Sequence, residues 1–180
     1  MSSTPVFTSG RLCLSIVALA TSVGCYMADW NETHVKNPRW PPHARFHNGQ
    51  TMSMGLCLGV LTAYFAWRPV LDRYNADDGR TTTKTGREGT RIVETARSGR
   101  GRGSIGGIGE KESVTISAVL GTLYWITGLS GILYPGTKWV DPEFGEGAPQ
   151  VPLLVGLAVL AWCGWGLEMR RLGQAWAGVD

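Results

Sequence analysis

Four apolar stretches, Leu12–Ala28, Thr51–Trp67, Val114–Tyr134 and Val151–Leu167, contain no Asp, Glu, Lys, Arg or His, and polar connections separate them. Seventeen helical residues rise about 25 Å and twenty-one about 32 Å, against a hydrocarbon core of about 30 Å, so each stretch spans a bilayer with a few flanking residues. The pattern predicts an all-α fold, a four-helix transmembrane bundle forming a single integral membrane domain over residues 1–180. Short hairpins join helices 1–2 and 3–4. Between helices 2 and 3, Leu71–Ser113 is rich in Gly, Thr, Ser and scattered charge and has no aromatic residue after Tyr74. It reads as a long, disordered, flexible polar loop on the cytoplasmic side.

Composition alone, 43% hydrophobic and 17% charged, would suit a soluble domain. The segregation of charge excludes that reading. Thirteen of the 17 basic residues fall before helix 1, between helices 2 and 3, or after helix 4, and four fall in the two short loops. The positive-inside rule therefore places both termini in the cytoplasm and the short loops on the lumenal face, of the endoplasmic reticulum or a similar internal membrane in a eukaryote. Trp30, Trp40, Trp67, Tyr134 and Trp139 mark the span edges as interfacial rings. Tyr26, at the −3 position of a cleavage after Ala28, spoils an A-x-A signal-peptidase site, so that stretch is expected as a retained helix. No ionisable residue other than Cys or Tyr lies deep in a stretch, which argues against an ion pump.

The four cysteines lie within apolar stretches with no C-x-x-C pair, as small hydrophobic residues would. Gly55-x-x-x-Gly59 and Ala20-x-x-x-Gly24 set small residues one turn apart, a close-packing signal that serves either the bundle or a homodimer. Thr115, Ser117, Thr122, Tyr124, Thr127 and Ser130 give helix 3 enough hydroxyls to line a cavity or to bond within the bundle. Glu168 reads as an i,i+3 surface partner beside Arg170 and Arg171.

The densest chemistry lies between Asp29 and Gln50, which holds all three histidines. Pro41-Pro42 suits a helix start, so helix 2 begins near His43. His43 and His47 then share one helical face, and Gln50 and Met54 continue it into the membrane. Asp29 closes helix 1 and is expected at the same rim. His43 and His47 are the candidate acid and base, Asp29 their orienting partner, and His34, Trp40, Arg45 and Gln50 the candidate substrate contacts. The same His43, His47 and Asp29, or Glu32, form an alternative zinc or iron ligand set. H-x-x-x-H without a following Glu gives no support to a zinc protease. Interfacial, hydrogen-bonded polar residues that cap helices are the structural alternative.

The run Asp29-Trp30-Asn31-x-Thr33-His34, followed by Asn37-Pro38-x-Trp40-Pro41-Pro42-His43-Ala44-Arg45-Phe46-His47, resembles a family of small fungal and bacterial multi-pass proteins of unassigned function. The resemblance implies that this motif is the family's shared site. In architecture the chain also looks like the emopamil-binding and sterol-isomerase group, whose bundles enclose a lipophilic ligand. These readings together suggest a membrane isomerase or cyclase of secondary metabolism, with the bilayer and a lipophilic small molecule as partners, no nucleic acid, and no cofactor named. The alternatives are a non-catalytic accessory or lipid-binding module and a metal-dependent membrane oxygenase.

Overall fold

The computed structural model describes residues 6–78 and 107–177, and within them lie α1 (Ser9–Asp29), α2 (Pro42–Asp78), α3 (Glu110–Ser130) and α4 (Val151–Ala177). Short 3-10 turns occupy Gly131–Leu133 and Pro142–Phe144, and no strand occurs among the described residues. Each of the four helices contains a segment long and apolar enough to cross a membrane. The expected loop Leu71–Ser113 is shorter at both ends. After Pro69 no Gly or Pro follows until Gly79, so α2 runs on to Asp78. At the other end, Glu110 and Glu112 in the first turn of α3 complement its positive N-terminal dipole. The rest of the expected loop, residues 79–106, lies outside the described residues.

The helices form an antiparallel ring in chain order, α1 against α2 and α4, and α3 against the same two, with α1 and α3 barely touching across the diagonal. The starts of α1 and α3 and the end of α4 share one end of the bundle, here the terminal end. Residues 30–41 and 131–150 make the opposite, hairpin end. The surface is apolar along its length, with Ile16, Leu19, Val60, Leu123 and Val159 exposed, while Thr21, Thr62, Ser113, Ser117 and Thr122 are buried beside Val17, Ala118 and Ala161. That distribution suits lipid, where apolar side chains gain nothing by turning inward and small or hydroxylated ones let backbones approach.

Gly59 carries the closest approach. A Cβ there would lie 2.0 Å from Ser22 Oγ and 2.6 Å from the Ala18 carbonyl oxygen of α1, and one at Gly55 would meet Cys25 Sγ at 2.8 Å. The Gly55-x-x-x-Gly59 face is thus filled within the chain. Gly24 faces open space, so the α1 surface that receives these glycines is Ala18, Ser22 and Cys25, not the Ala20-x-x-x-Gly24 stripe. A second close approach joins α1 to α4, where Gly10 and Gly164 each sit against the other's carbonyl oxygen. All four cysteines are free, but Cys57 and Cys163 lie exposed on the outer surface and only Cys25 is buried.

Polar groups inside the bundle bond to one another. Pro69 lacks the N–H that would bond the Phe65 carbonyl, and Ser113 Oγ of α3 donates to that carbonyl at 2.8 Å. Ser117 Oγ donates to the Thr62 carbonyl at 2.8 Å, Trp67 Nε1 to Ser15 Oγ at 2.9 Å, and Trp165 Nε1 to Thr115 Oγ1 at 3.0 Å. These hydroxyls of α3 therefore serve the bundle. Overpacking a close contact costs about 1–3 kcal/mol. Gly59→Ala should accordingly lower the thermal midpoint in detergent by several degrees, whereas Gly24→Ala should leave it unchanged or raise it; equal midpoints for the two variants would contradict this packing.

Candidate functional site at the hairpin end

α1 ends where Asn31 folds back and donates from Nδ2 to the Ala28 carbonyl at 2.7 Å, satisfying one of the helix's last acceptors. The loop then turns on Asn37, only 2% exposed, whose Oδ1 accepts from the Arg39 N–H at 2.9 Å and whose Nδ2 donates to Glu143 Oε1 at 3.2 Å. Arg39 pairs with the same Glu143, which stitches the second hairpin loop to the first. Arg45 Nη2 donates to the Asn37 carbonyl at 2.7 Å, so its guanidinium braces the loop. A hollow of about 460 Å³ opens in the second loop among Ile132, Trp139, Val140 and Pro142, and no histidine lines it.

The rim residues assemble as two separate groups. In the first, the Asp29 carboxylate accepts from Asn48 Nδ2 at 3.0 Å and faces His34 Nε2 at 3.8 Å. Thr33 Oγ1 spends its proton on Asn31 Oδ1 at 2.5 Å, so His34 Nδ1 donates to that oxygen across 2.7 Å. His34 Nε2 is then the nitrogen that faces Asp29. Trp40 meets the His34 ring edge-on at 5.1 Å between centroids. Asn48 is itself buried, and its Oδ1 has no hydrogen-bond partner, leaving one acceptor in this recess unused.

The second group lies on the exposed face of α2. His43 Nε2 and His47 Nε2 are 3.0 Å apart, and His47 Nδ1 is 3.3 Å from Gln50 Oε1. A carbonyl oxygen only accepts, so His47 Nδ1 carries the proton, His47 Nε2 presents its lone pair, and His43 Nε2–H donates to it. Phe46 stacks parallel to His43. Pro42 begins α2 close to where Pro41-Pro42 suggests, and the four-residue spacing makes the pair. Asp29 is not part of it, being engaged by His34 and Asn48. Among the described residues no three His, Cys, Asp or Glu side chains converge to hold a metal, so the alternative set of His43, His47 and Asp29 is not assembled in this arrangement.

The other polar concentration is one that the sequence reading placed on the surface. At the terminal end Arg11 is fully buried and Glu168 is 1% exposed. Glu110 Oε1 accepts from Arg11 Nη2 at 2.7 Å and from Arg171 Nη2 at 2.6 Å, and Arg171 Nε also donates to Glu168 Oε2 at 2.9 Å. Thr8, whose hydroxyl caps α1, donates to the remaining Glu168 oxygen. The expected i,i+3 pair of Glu168 is real, with Arg171, but it is internal. The neighbouring Gly10-Gly164 approach brings α1 and α4 close enough to bury it. These partners are distant along the chain, so no local motif announces them.

Four apolar helices with hydroxyl and indole groups bonded between them and their charges gathered at the two ends define a small four-span integral membrane protein. A family model matches residues 13–86 and 85–177, and the chain belongs to that family of unknown function (DUF6640). No curated protein and no solved structure matches it.

The two rim groups differ in what they support. Removing a buried partner strands its mate at about 1–3 kcal/mol, whereas exposed substitutions stay within about 0.5 kcal/mol. Asn48→Leu should therefore lower the thermal midpoint clearly while His47→Ala leaves it nearly unchanged, measured by unfolding in detergent; the reverse order would show that the exposed pair, not the Asp29–Asn48 contact, holds the rim.

Proposed function

We propose that the protein is a proton-transfer enzyme, an isomerase or cyclase acting on a lipophilic small molecule of secondary metabolism. Its termini lie in the cytoplasm and its hairpin end faces the lumen of an internal membrane such as the endoplasmic reticulum, consistent with the thirteen basic residues on the terminal side. The observation that carries the reading is the accessible His43–His47 pair, the Nε2–H of one ring donating to the Nε2 of the other across 3.0 Å. With its Nδ1 also protonated, His43 delivers its Nε2 proton to one position of the substrate, leaving a neutral ring, and His47 Nε2 removes one from another. The proton then passes from His47 back to His43, and the cycle closes with no net change. Gln50 holds the His47 tautomer, and exposed Phe46 and Met54 offer an apolar approach from the bilayer. Asp29, held by Asn48, orients His34, while Trp40 and Arg45 shape the loop beside it.

Such chemistry leaves an isotopic trace whatever the substrate. Protein reconstituted in vesicles with the lipophilic extract of its producing cells, in deuterated water, should place carbon-bound deuterium in one component. General acid–base catalysis contributes about 10²–10⁴-fold, so His43→Ala and His47→Ala should each cut incorporation by at least a hundredfold. No incorporation by the unaltered protein would leave a non-catalytic membrane module as the better reading, and incorporation undiminished in both variants would take the chemistry away from the His43–His47 pair.

A further inference from the structure

A groove of about 720 Å³ runs along the outside of the bundle between α3 and α4, away from the rim histidines. Its walls are mostly apolar, with Ile126 from α3 and Val159 and Trp162 from α4, and Cys163 and Gly166 also line it. A Cβ added at Gly166 would meet nothing within 4 Å, so the notch stands open. At the terminal end the groove finishes at Arg170, which is exposed.

The charge at that end is unbalanced. Arg11 and Arg171 share Glu110, Arg171 also takes Glu168, and Arg68 faces Asp72. Glu110 and the buried Glu168 are thus already committed, and Arg170 has no acidic partner among the described residues. A guanidinium at a membrane edge without a carboxylate is matched by a phosphate, which it binds through two parallel N–H donors. Length fits the same occupant. From Arg170 back to Val159, α4 rises about 16 Å, about half of the ~30 Å hydrocarbon core. The groove therefore runs the depth of one leaflet, from headgroup level to the bilayer midplane.

We propose that this groove is a specific site for an anionic glycerophospholipid, with its phosphate on Arg170 and one acyl chain lying over Gly166 and Cys163 between Trp162 and Ile126. Arg170 supplies headgroup selectivity, and the Gly166 notch supplies room for the chain. The site is independent of the rim histidines and of the reaction proposed for them.

The test is lipid retention by native mass spectrometry of the full-length protein, delipidated in detergent and then offered dioleoyl phosphatidylglycerol, dioleoyl phosphatidylcholine or inorganic phosphate. The unaltered protein should retain one phosphatidylglycerol at least fivefold more than phosphatidylcholine, and inorganic phosphate alone should not bind. Arg170→Gln should bring the ratio close to one, and Gly166→Leu should reduce retention of both lipids. Thermal unfolding of each variant checks that the bundle persists, and Val159→Trp, which narrows the groove from its other end, substitutes for Gly166→Leu if that variant fails to fold. Equal retention of the two lipids by the unaltered protein, a preference that survives Arg170→Gln, or retention undiminished by filling the groove would overturn the proposal.

Discussion

Two carboxylates and two guanidiniums paired with one another at the terminal end, Arg11 and Glu168 buried and Glu110 and Arg171 half-buried, govern how the four helices meet. Arg11 comes from α1, Glu110 from α3, and Glu168 with Arg171 from α4, while Arg73 of α2 approaches Glu110 at 3.9 Å. At a membrane edge none of these charges is dispensable once the others are in place. Leaving a buried charge unpaired costs about 3–5 kcal/mol, a large share of a typical net stability of about 5–15 kcal/mol. The geometry of the ring follows from that demand. α1 and α4 must come close enough for Thr8 and Glu168 to bond, and Gly10 against Gly164 permits it.

Away from that end the bundle follows the same rule with neutral groups. Ser113 repairs the gap that Pro69 leaves in α2, and two indole N–H groups find hydroxyls on neighbouring helices. Lipid offers these donors and acceptors nothing, so the chain supplies its own partners. The hairpin end is different in kind. Its loops are tied by Glu143 to Asn37 and Arg39, but His43 and His47 face outward and bond mainly to each other and to Gln50. The charges of Arg11, Glu110, Glu168 and Arg171 at the terminal end are consumed by structure, while the accessible proton carriers sit at the opposite end.

How much of this was legible in the sequence depends on the range of each interaction. The four spans were, because a bilayer forbids charge over a length that can be counted. The His43–His47 pair and the start of α2 were, because both are local consequences of helical spacing and of Pro41-Pro42. The close-packing role of Gly55 and Gly59 was legible, but not its partner surface, since Ala18, Ser22 and Cys25 carry no motif. Asp29 was expected beside the rim pair. The turn capped by Asn31 instead delivers His34 to it, and Asn48 reaches it from the buried face of α2. Glu168 looked like a surface residue because only its i,i+3 partner is local, while Thr8, which bonds its other oxygen, lies 160 residues away. Electrostatic pairing at that separation leaves no periodic trace.

The most direct measurement is a double-mutant cycle across the terminal cluster, with Arg11→Leu, Glu110→Leu and the double variant compared by thermal unfolding in the same detergent. If the buried charges hold one another, each single change strands a charge and the double change removes both, so the double variant should lose less than the sum of the singles by about 1 kcal/mol or more. Additive losses would contradict the account, showing that Arg11 and Glu110 act independently and that something other than their pairing closes the bundle.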